Sequence, residues 1–240
     1  MDNTVVKQAL LYRGKVKSMF RTDDGGLLIA EFHDDTTAFD GGKHELLKNK
    51  GRTNNRISTF LMNVLAAEGI NTHFVDTLSE HEVLVKYLTM IPLECVIRNI
   101  AAGSLCRRLG VEEHLELKPA LFELFLKNDD LHDPLVNENH AISFGWATQA
   151  QLDAMKVMTF KINEVLSKLF SDAGLLLVDA KYEFGIDTDG NVCLGDEISP
   201  DSCRIWDAET QETLDKDRFR KDMGDVVESY EIIARRIGAL

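Results

Sequence analysis

The sequence lacks the features that identify several common classes of protein. Its four cysteines form no CxxC pair and no cysteine–histidine cluster with the spacing of zinc ligands, which favours reduced, structural thiols. It contains no run of about 18 apolar residues and no charged-then-apolar N-terminal segment, so we expect a soluble cytoplasmic protein with no membrane contact. Internal repeats, low-complexity tracts and obvious linkers are also missing.

The chain has fewer basic than acidic residues, and it lacks the common sequence motifs of nucleotide-binding proteins. The formal net charge of −13 argues against non-specific binding to nucleic acid or to an anionic membrane. The P-loop pattern GxxxxGK followed by Ser or Thr is absent, as are HRD and DFG, so neither a P-loop NTPase nor an ordinary protein kinase fits. The chain does have 240 residues, 44% of them hydrophobic, which is enough for one or two domains with a core.

The most informative stretch is residues 175–201, LLLVDAKYEFGIDTDGNVCLGDEISPD. Strand alternation places Asp179, Lys181 and Glu183 on one face. The turn signal Asp189-Gly190 predicts a hairpin with a two-residue loop, which would set Glu183 opposite Asp196. A three-residue loop would shift this register by one. The opposite face of the first arm is apolar, and its members are Leu176, Val178, Ala180, Tyr182 and Phe184.

Two opposed carboxylates in a hairpin require a physical explanation, because like charges across a strand pair destabilise it. At ~4 Å the repulsion is about 1 kcal/mol in water and about 4 kcal/mol at an effective dielectric constant near 20. The face is tolerated if it is solvated, if Lys181 neutralises it, or if a divalent cation binds there. The apolar opposite face and the opening LLLV indicate a central strand, which favours Mg²⁺.

The N-terminal part of the chain is predicted to form an antiparallel sheet with one helix. Strands are expected at residues 12–22, 27–32, 72–77 and 82–88, and a helix at residues 54–68, capped by Thr53 or Asn54 and ended by Gly69. Lys15 and Lys17 would share a strand face and could bind phosphate, although solvated surface lysines are the alternative. Pro92 should interrupt the next strand and mark a hinge, dividing the chain into lobes 1–90 and 91–240.

The C-terminal part contains a second group of polar residues. A strand at residues 93–101 carries Arg98, and Gly103-Ser104 opens a short helix that reaches Leu109. These residues suit an anion, although a capping serine and a surface arginine are the alternative. A polar loop holds His132 and Asp133, and Arg204 follows the second arm of the hairpin in another loop. Long helices are expected at residues 149–173 and 222–237.

Several long motifs in this sequence resemble those of one enzyme family. PLECVIRNIAAGS and LVDAKYEFG are similar to the two signature stretches of the SAICAR synthetases, or phosphoribosylaminoimidazole-succinocarboxamide synthases. LYRGKVK, HDPLVNE, GDEISPDSCRIWD and LDKDRFR match as well, in collinear order from Leu11 to Gly238. The resemblance implies a two-lobed α+β fold of the ATP-grasp or kinase-like kind. It implies ligation of CAIR, a phosphorylated carboxy-aminoimidazole ribonucleotide, to L-aspartate, with ATP cleaved to ADP and phosphate in purine synthesis.

The resemblance also implies a role for individual residues, with ATP and Mg²⁺ as cofactors and a homodimer as the assembly. Asp133, Asp179 and Lys181 would take part in catalysis, with the general base left open. The nucleotide would be bound by Lys15, Lys17, Lys86, Leu88, Met90 and Lys127. The substrate CAIR would contact Asp40, Arg98, Ser104 and Arg204. Mg²⁺ would be held by Glu183 and Asp196.

Two other functions fit the same residues less well. A different ATP-dependent ligase or small-molecule kinase on this fold would keep Lys15, Glu183 and Asp196. It would not need Arg98, Ser104 and Arg204. A non-catalytic nucleotide sensor would bind ATP without turnover.

Overall fold

The computed structural model describes residues 5–38 and 42–240, in which three antiparallel sheets and six α-helices form. The first sheet has the strand order β1-β2-β3-β7-β6. Its strands are β1 (Lys7–Arg13), β2 (Lys17–Thr22), β3 (Leu27–Phe32), β6 (Phe74–Thr77) and β7 (Glu82–Lys86). A separate two-stranded sheet consists of β4 (Asp35–Ala38) and β5 (Lys43–Leu46).

The second large sheet has six strands in the order β10-β9-β8-β11-β12, with β13 also paired to β11. The strands are β8 (Thr89–Ile100), β9 (Glu116–Leu126), β10 (Leu135–Val136), β11 (Leu175–Ile186), β12 (Val192–Gly195) and β13 (Cys203–Asp207). The helices are α1 (Lys50–Ala67), α2 (Ser104–Leu109), α3 (Glu138–Ser143), α4 (Gln149–Asp172), α5 (Asp217–Arg220) and α6 (Val226–Ile237), with a 3₁₀ turn at Asp129–Leu131. Among the described residues, no helix is long and apolar enough to cross a membrane.

The largest hydrophobic core joins the second sheet to the helices on its apolar face. Ile57 and Leu61 of α1 belong to this core, together with Ile162 of α4 and Tyr230 of α6. The core of the first sheet is a smaller, separate cluster around Met19 and Val85. Helix α1 therefore packs into the C-terminal core, although it precedes two strands of the first sheet. It begins at Lys50, earlier than predicted, and its N-cap is Asn49.

Lys15 and Lys17 do not share a strand face, contrary to the prediction. The predicted first strand is two strands, β1 and β2, and Lys15 lies in the turn between them. The turn is closed by a hydrogen bond from the Gly14 amide to the Lys17 carbonyl oxygen, 2.8 Å long. Lys17 is buried at the start of β2, whereas the Lys15 side chain is 47% exposed.

Pro92 does not interrupt the strand that contains it. Strand β8 runs through this residue because its pairing with β11 is irregular there: Met90 opposes Gly185 and Glu94 opposes Glu183, with a bulge between them. At a bulge, some residues donate no backbone N–H hydrogen bond to the neighbouring strand. A proline, which has no N–H, is therefore accommodated there. The predicted break is therefore wrong, although the first large sheet does end at Lys86 and the second does begin at Thr89.

Strand β11 lies inside its sheet as predicted, but the register of its hairpin is shifted by one. Glu183 opposes Gly195 rather than Asp196. The loop has three residues, because Asp187 and Asn191 still pair and Gly190 adopts a φ of 84°. Asp196 follows the end of β12 in a left-handed conformation with a φ of 59°. The carboxylate opposite Glu183 is Glu94 on β8.

A second irregularity in β11 changes which side chains share a face. The pairing with β13 shifts between Leu177 and Asp179. As a result Leu177 joins Ala180 in the main core, whereas Leu176 and Val178 pack in a small separate cluster. Simple alternation had placed Leu176 and Val178 with Ala180. The bulge is what keeps Asp179, Lys181 and Glu183 on the polar side of a strand that is otherwise buried.

Candidate active site

Two cavities of about 590 and 280 Å³ meet on the polar side of β11. We call the larger one the arginine cavity, because Arg98, Arg108, Arg204 and Arg220 line it. We call the smaller one the lysine cavity, because Lys17 and Lys127 line it. The residues common to both form a shared wall that consists of Lys15, Glu94, Asp133, Lys181, Asp201, Ser202 and Lys216.

Asp179 organises the arginine cavity from the centre of three strands. It lies opposite Arg98 on β8 and opposite Arg204 on β13. Its Oδ2 atom accepts a hydrogen bond from Nη1 of each arginine, both 2.8 Å long. The Asp179 side chain is only 6% exposed. Because one buried carboxylate holds both guanidinium groups, their orientation is fixed before any ligand binds.

The same pattern continues on both sides of this trio. Glu123 accepts from Nε of Arg98 at 2.7 Å and from Nη2 of Arg108 at 2.6 Å. Asp217 accepts from Nε of Arg204 at 2.9 Å, and its other oxygen accepts from Nη1 of Arg220 at 2.5 Å. The row therefore alternates four arginines with three carboxylates, which leaves an excess of positive charge that suits an anion.

Gly103 allows Arg204 to approach the start of α2. A Cβ atom built on Gly103 would lie 2.4 Å from Nη2 of Arg204, closer than any real contact, and the φ of Gly103 is +58°. Nη2 of Arg98 lies 3.4 Å from the Ser104 hydroxyl oxygen in the same corner. The predicted association of Arg98, Ser104 and Arg204 is thus found in the structure, and Gly103 is required by space as well as by conformation.

In the lysine cavity, lysines and carboxylates alternate. Lys17 donates to both Asp196 and Glu197, and Lys127 donates to Glu183. In the shared wall, Nζ of Lys181 lies 2.5 Å from Oε1 of Glu94 and 3.6 Å from Oε1 of Glu183. Lys181 therefore neutralises the carboxylates of Glu94 and Glu183, which face each other across β8 and β11. Neutralisation by Lys181 therefore makes the opposed carboxylates tolerable, although the acid opposite Glu183 is Glu94 and not Asp196.

The charges of this cavity shift one another's pKa values. Although burial acts to lower it, the carboxylates of Asp196 and Glu197 raise the pKa of Lys17 above its usual range. Although burial acts to raise it, the nearby lysines, Lys17 first, hold the pKa of Asp196 well below its ordinary value. Burial raises the pKa of Glu94. Lys17 and Asp196 are thus a charged pair at neutral pH.

The carboxylates of the lysine cavity have the chemistry of a Mg²⁺ site. Glu183 and Asp196 both line it, and each accepts a hydrogen bond from a lysine, which leaves lone pairs for a hard cation. Within residues 5–38 and 42–240, no three His, Cys, Asp or Glu side chains are grouped so that they could hold a metal by themselves. The donor set fits a cation that takes its other ligands from phosphate and water.

Not all of the predicted residues meet at these cavities. Lys86 donates to Oδ1 of Asn71, and neither Leu88 nor Met90 lines either cavity. Leu88 and Met90 pack instead against Gly185 and Gly195, where a Cβ atom would meet them at 2.8 to 3.5 Å. Asp40 lies outside the described residues. The other predicted residues line one or both cavities: Lys15, Lys17, Arg98, Ser104, Lys127, Asp133, Asp179, Lys181, Glu183, Asp196 and Arg204.

Several residues of the site were not identified from the sequence. Arg204 was expected in a loop but lies in β13. The partners Glu123 and Asp217 are distant in the chain from the arginines that they orient, and no local pattern links them. A signal existed for Glu123, because it is an acid within the apolar strand 121–126. The other unassigned residues are Glu94, Arg108, Glu197, Lys216 and Arg220.

The α+β fold with antiparallel sheets and the two adjoining cavities lined by arginines and lysines are what an enzyme with two anionic ligands requires. The sequence profile described as SAICAR synthetase matches residues 10–237. The chain is 69% identical over 230 residues to the phosphoribosylaminoimidazole-succinocarboxamide synthase of Coxiella burnetii, which covers 96% of this chain and 95% of that protein. The chain therefore belongs to the SAICAR synthetase family, ligases that join CAIR and aspartate to give SAICAR in purine biosynthesis.

Solved structures agree with this assignment. The phosphoribosylaminoimidazole-succinocarboxamide synthase of Ehrlichia chaffeensis superimposes with a TM-score of 0.94 and 43% identity, over 97% of this chain and 99% of that one. A SAICAR synthetase crystallised in complex with ADP gives a TM-score of 0.92 and 44% identity, over 95% and 97% of the two chains. The predicted α+β fold, with its mostly antiparallel N-terminal sheet, is confirmed.

Proposed function

We propose that ATP binds in the lysine cavity and CAIR in the arginine cavity, so that the reacting groups meet at the shared wall. The observation that carries this proposal is the contact between the two cavities along Glu94, Asp133 and Lys181. The ADP complex of the related SAICAR synthetase supports nucleotide binding on this fold. Lys15, Lys17 and Lys127 would contact the phosphates of ATP, while Arg98, Ser104 and Arg204 hold the phosphate of CAIR.

The proposed chemistry is activation of the CAIR carboxylate as an acyl phosphate. A carboxylate oxygen attacks the γ-phosphorus, and the bond from that phosphorus to the bridging oxygen breaks, which releases ADP. The amine of L-aspartate then attacks the acyl carbon, and phosphate leaves with one of the original carboxylate oxygens. Lys181 stabilises the negative charge that develops on the transferred group. Asp179 acts by orienting Arg98 and Arg204, and Asp133 in the shared wall is available to accept the proton of the amine.

Mg²⁺ belongs to the same proposal. Glu183 and Asp196 would hold the ion together with phosphate oxygens, with Glu197 beside them. When bound, the ion supplies neutralisation of the phosphate charge. Lys17 and Lys127 donate hydrogen bonds to these carboxylates. When the nucleotide binds, the two ammonium groups would donate to its phosphates instead and free carboxylate oxygens for the ion.

Two larger features complete the proposal. Residues 1–90 would form the lobe that covers the nucleotide, and residues 91–240 the lobe that holds substrate and metal. Lys86, Leu88 and Met90 would surround an adenine that extends beyond the lysine cavity, which they do not line. The division is supported by the change of sheet between Lys86 and Thr89.

The assembly would be a cytoplasmic homodimer, for which the exposed apolar side chains Ile142, Phe144 and Val157 on and beside α3 and α4 offer a contact surface. Sedimentation at twice the mass of the chain would support the dimer, and a single-chain mass would contradict it.

The direct test of the function is release of ADP with one substrate omitted at a time. We expect sustained release only when ATP, Mg²⁺, CAIR and L-aspartate are all present. Equal turnover with another carboxylate acceptor in place of CAIR would favour a different ligase or kinase. Tight ATP binding without turnover under the complete conditions would favour a nucleotide sensor.

A further inference from the structure

Lys216 is a cation of the shared wall whose ammonium group makes no close contact with an acid in the described part of the chain. It lines both cavities, yet its Nζ makes no hydrogen bond and no ion pair within 4 Å with residues 5–38 or 42–240. The nearest acids are already engaged, because Asp201 pairs with Lys50 at 2.6 Å and Glu197 pairs with Lys17. A partly buried ammonium group that feels these carboxylates only at longer range, and shares them with Lys50 and Lys17, is poised to take an anionic ligand of its own.

Arg220 lies four residues further on and presents a second set of free donors. Its Nη1 is held by Asp217, but within the described ranges Nε and Nη2 make no hydrogen bond. Arg220 lines the arginine cavity only, and its side chain is 35% exposed. Burial lowers the pKa of Lys216, and the neighbouring cations Lys50 and Arg220 act in the same direction. An anion bound between Lys216 and Arg220 would relieve this repulsion.

The arginine cavity has more cationic side chains than the proposed CAIR phosphate would use, so Lys216 and Arg220 can bind a second anionic ligand. Seven cationic and four acidic side chains line the cavity. Arg98, Ser104 and Arg204 are grouped around Asp179 and the proposed CAIR phosphate. Lys216 and Arg220 sit at a spacing of four residues, at which side chains lie about 5–6 Å apart at Cβ on a helix. Such a pair matches a small dicarboxylate.

We propose that Lys216 and Arg220 bind the two carboxylates of the amino-acid substrate, L-aspartate, and thereby select it. This inference rests on the proposed function, since it assigns the amine acceptor within the same site. Lys216 would hold the α-carboxylate, because it lies in the shared wall where the reacting amine must be. Arg220 would hold the side-chain carboxylate through its fork of donors. Asp217 fixes Arg204 with one oxygen and Arg220 with the other, so it sets the spacing between the CAIR and aspartate sites.

The test compares KM values for the three substrates in Lys216→Met and Arg220→Met. We expect the KM for L-aspartate to rise about tenfold or more in each, as for loss of a charge-assisted hydrogen bond, with KM for CAIR and ATP changed less than about twofold. Succinate, a dicarboxylate without the amine, should inhibit the wild type competitively against aspartate and lose potency in both variants. In Arg220→Met the preference for L-aspartate over L-asparagine should fall, and Arg220→Lys should restore part of it.

The matched control is Lys221→Met, which removes an exposed cation next to Arg220 that lines neither cavity, and it should leave all three KM values unchanged. An unchanged KM for aspartate in Arg220→Met, or an equal rise for CAIR, would overturn the assignment. Arg220 is exposed enough that this variant carries the test even if Lys216→Met does not fold. A wild-type protein that releases no ADP with all substrates present would instead refute the proposed function itself.

Discussion

At the scale of single residues, the site depends on carboxylates that orient cations. Asp179 receives hydrogen bonds from Arg98 and Arg204, and its side chain is 6% exposed. An acid in the middle of an anion site would repel the ligand if it stood alone. Here the positive charge of two arginines exceeds the negative charge of Asp179. Asp179 also restricts the arginine side chains in advance, so they lose less conformational entropy when the ligand binds. The sequence placed Asp179 on the right face but gave no indication that both of its partners are arginines from neighbouring strands.

Glu183→Gln tests the proposed metal ligand. The substitution keeps the shape but removes the charge that would bind Mg²⁺ and that now accepts from Lys127. We expect turnover to fall about 100-fold or more, the scale for loss of one electrostatic group at a reacting centre. Binding of a fluorescent ATP analogue should lose its dependence on Mg²⁺. Glu116→Gln, on the exposed part of β9, is the control, and wild-type turnover in Glu183→Gln would remove the metal role.

Asp215 is a fully buried carboxyl group that contacts the backbone of Asp217, a member of the arginine row, and it is expected to make the stability of the protein depend on pH. Its oxygens accept from the amides of Ile205 and Asp217, both at 2.8 Å, and from the Thr213 hydroxyl at 3.0 Å. Burial, reinforced by the charge of Asp217, raises the pKa of Asp215 to about 7. The folded state therefore binds a proton more tightly than the unfolded state, so this group's contribution to stability falls as the pH rises from about 4 through 7.

Asp215→Asn should remove that dependence. The side-chain NH₂ group of the asparagine would replace one carboxyl oxygen and face a hydrogen-bond donor of the protein. We therefore expect the variant to lose about 1–3 kcal/mol of unfolding free energy. The advantage of the wild type over the variant should be larger at pH 5 than at pH 8, by on the order of 2 kcal/mol. Urea unfolding at the two pH values measures it. An advantage that stays constant or grows with pH would show that Asp215 is not protonated in the folded protein.

At the scale of elements, β11 and its neighbours bring the charges together, and here the sequence was informative only in part. Alternation identified the polar face of β11, and the turn signal identified the hairpin. The register depended on whether the loop holds two or three residues, which Asp189-Gly190 alone does not decide. The pairings of Glu183 with Glu94 and of Asp179 with Arg204 arise between strands that are not adjacent in the chain, so no local pattern predicts them.

Gly103→Ala tests the corner where α2 begins. The added Cβ would collide with Arg204, and the φ of +58° is strained for alanine. We expect the KM for CAIR to rise about 10- to 100-fold, as for loss of hydrogen bonds to a charged group. Gly110→Ala, at the other end of α2, is the control, because its φ of +65° is also left-handed but no atom lies within 4 Å of the new Cβ. Equal KM values in the two variants would contradict the displacement of Arg204.

At the scale of the whole molecule, a buried ion pair joins the N-terminal part to the C-terminal site. Nζ of Lys50, the first residue of α1, lies 2.6 Å from Oδ2 of Asp201 and donates to the Asp35 carbonyl oxygen at 2.9 Å. Tyr230 of α6 donates to the other oxygen of Asp201 at 2.8 Å. Although burial acts to raise it, Lys50 holds the pKa of Asp201 below its usual range. The predicted helix began after Lys50, so this connection was not visible in the sequence.

Lys50→Met should be one of the more destabilising substitutions in the protein. It leaves the carboxylate of Asp201, with its 2% exposed side chain, without its counter-charge. Removing one partner of such a pair costs about 3–5 kcal/mol, which chemical denaturation would detect. Lys48→Met removes an exposed lysine two residues away and should change stability by less than about 0.5 kcal/mol. Similar small losses in both variants would show that the pair is not important for stability.

In the proposed reaction, the two cavities bring the γ-phosphoryl group of ATP to the carboxylate of CAIR. The most direct measurement uses CAIR labelled with ¹⁸O in that carboxylate, followed by ³¹P NMR of the phosphate released during turnover with unlabelled ATP and L-aspartate. If the carboxylate attacks the γ-phosphorus, one labelled oxygen must appear in each phosphate formed. Phosphate free of label, with SAICAR still produced, would contradict attack of the CAIR carboxylate on the γ-phosphorus.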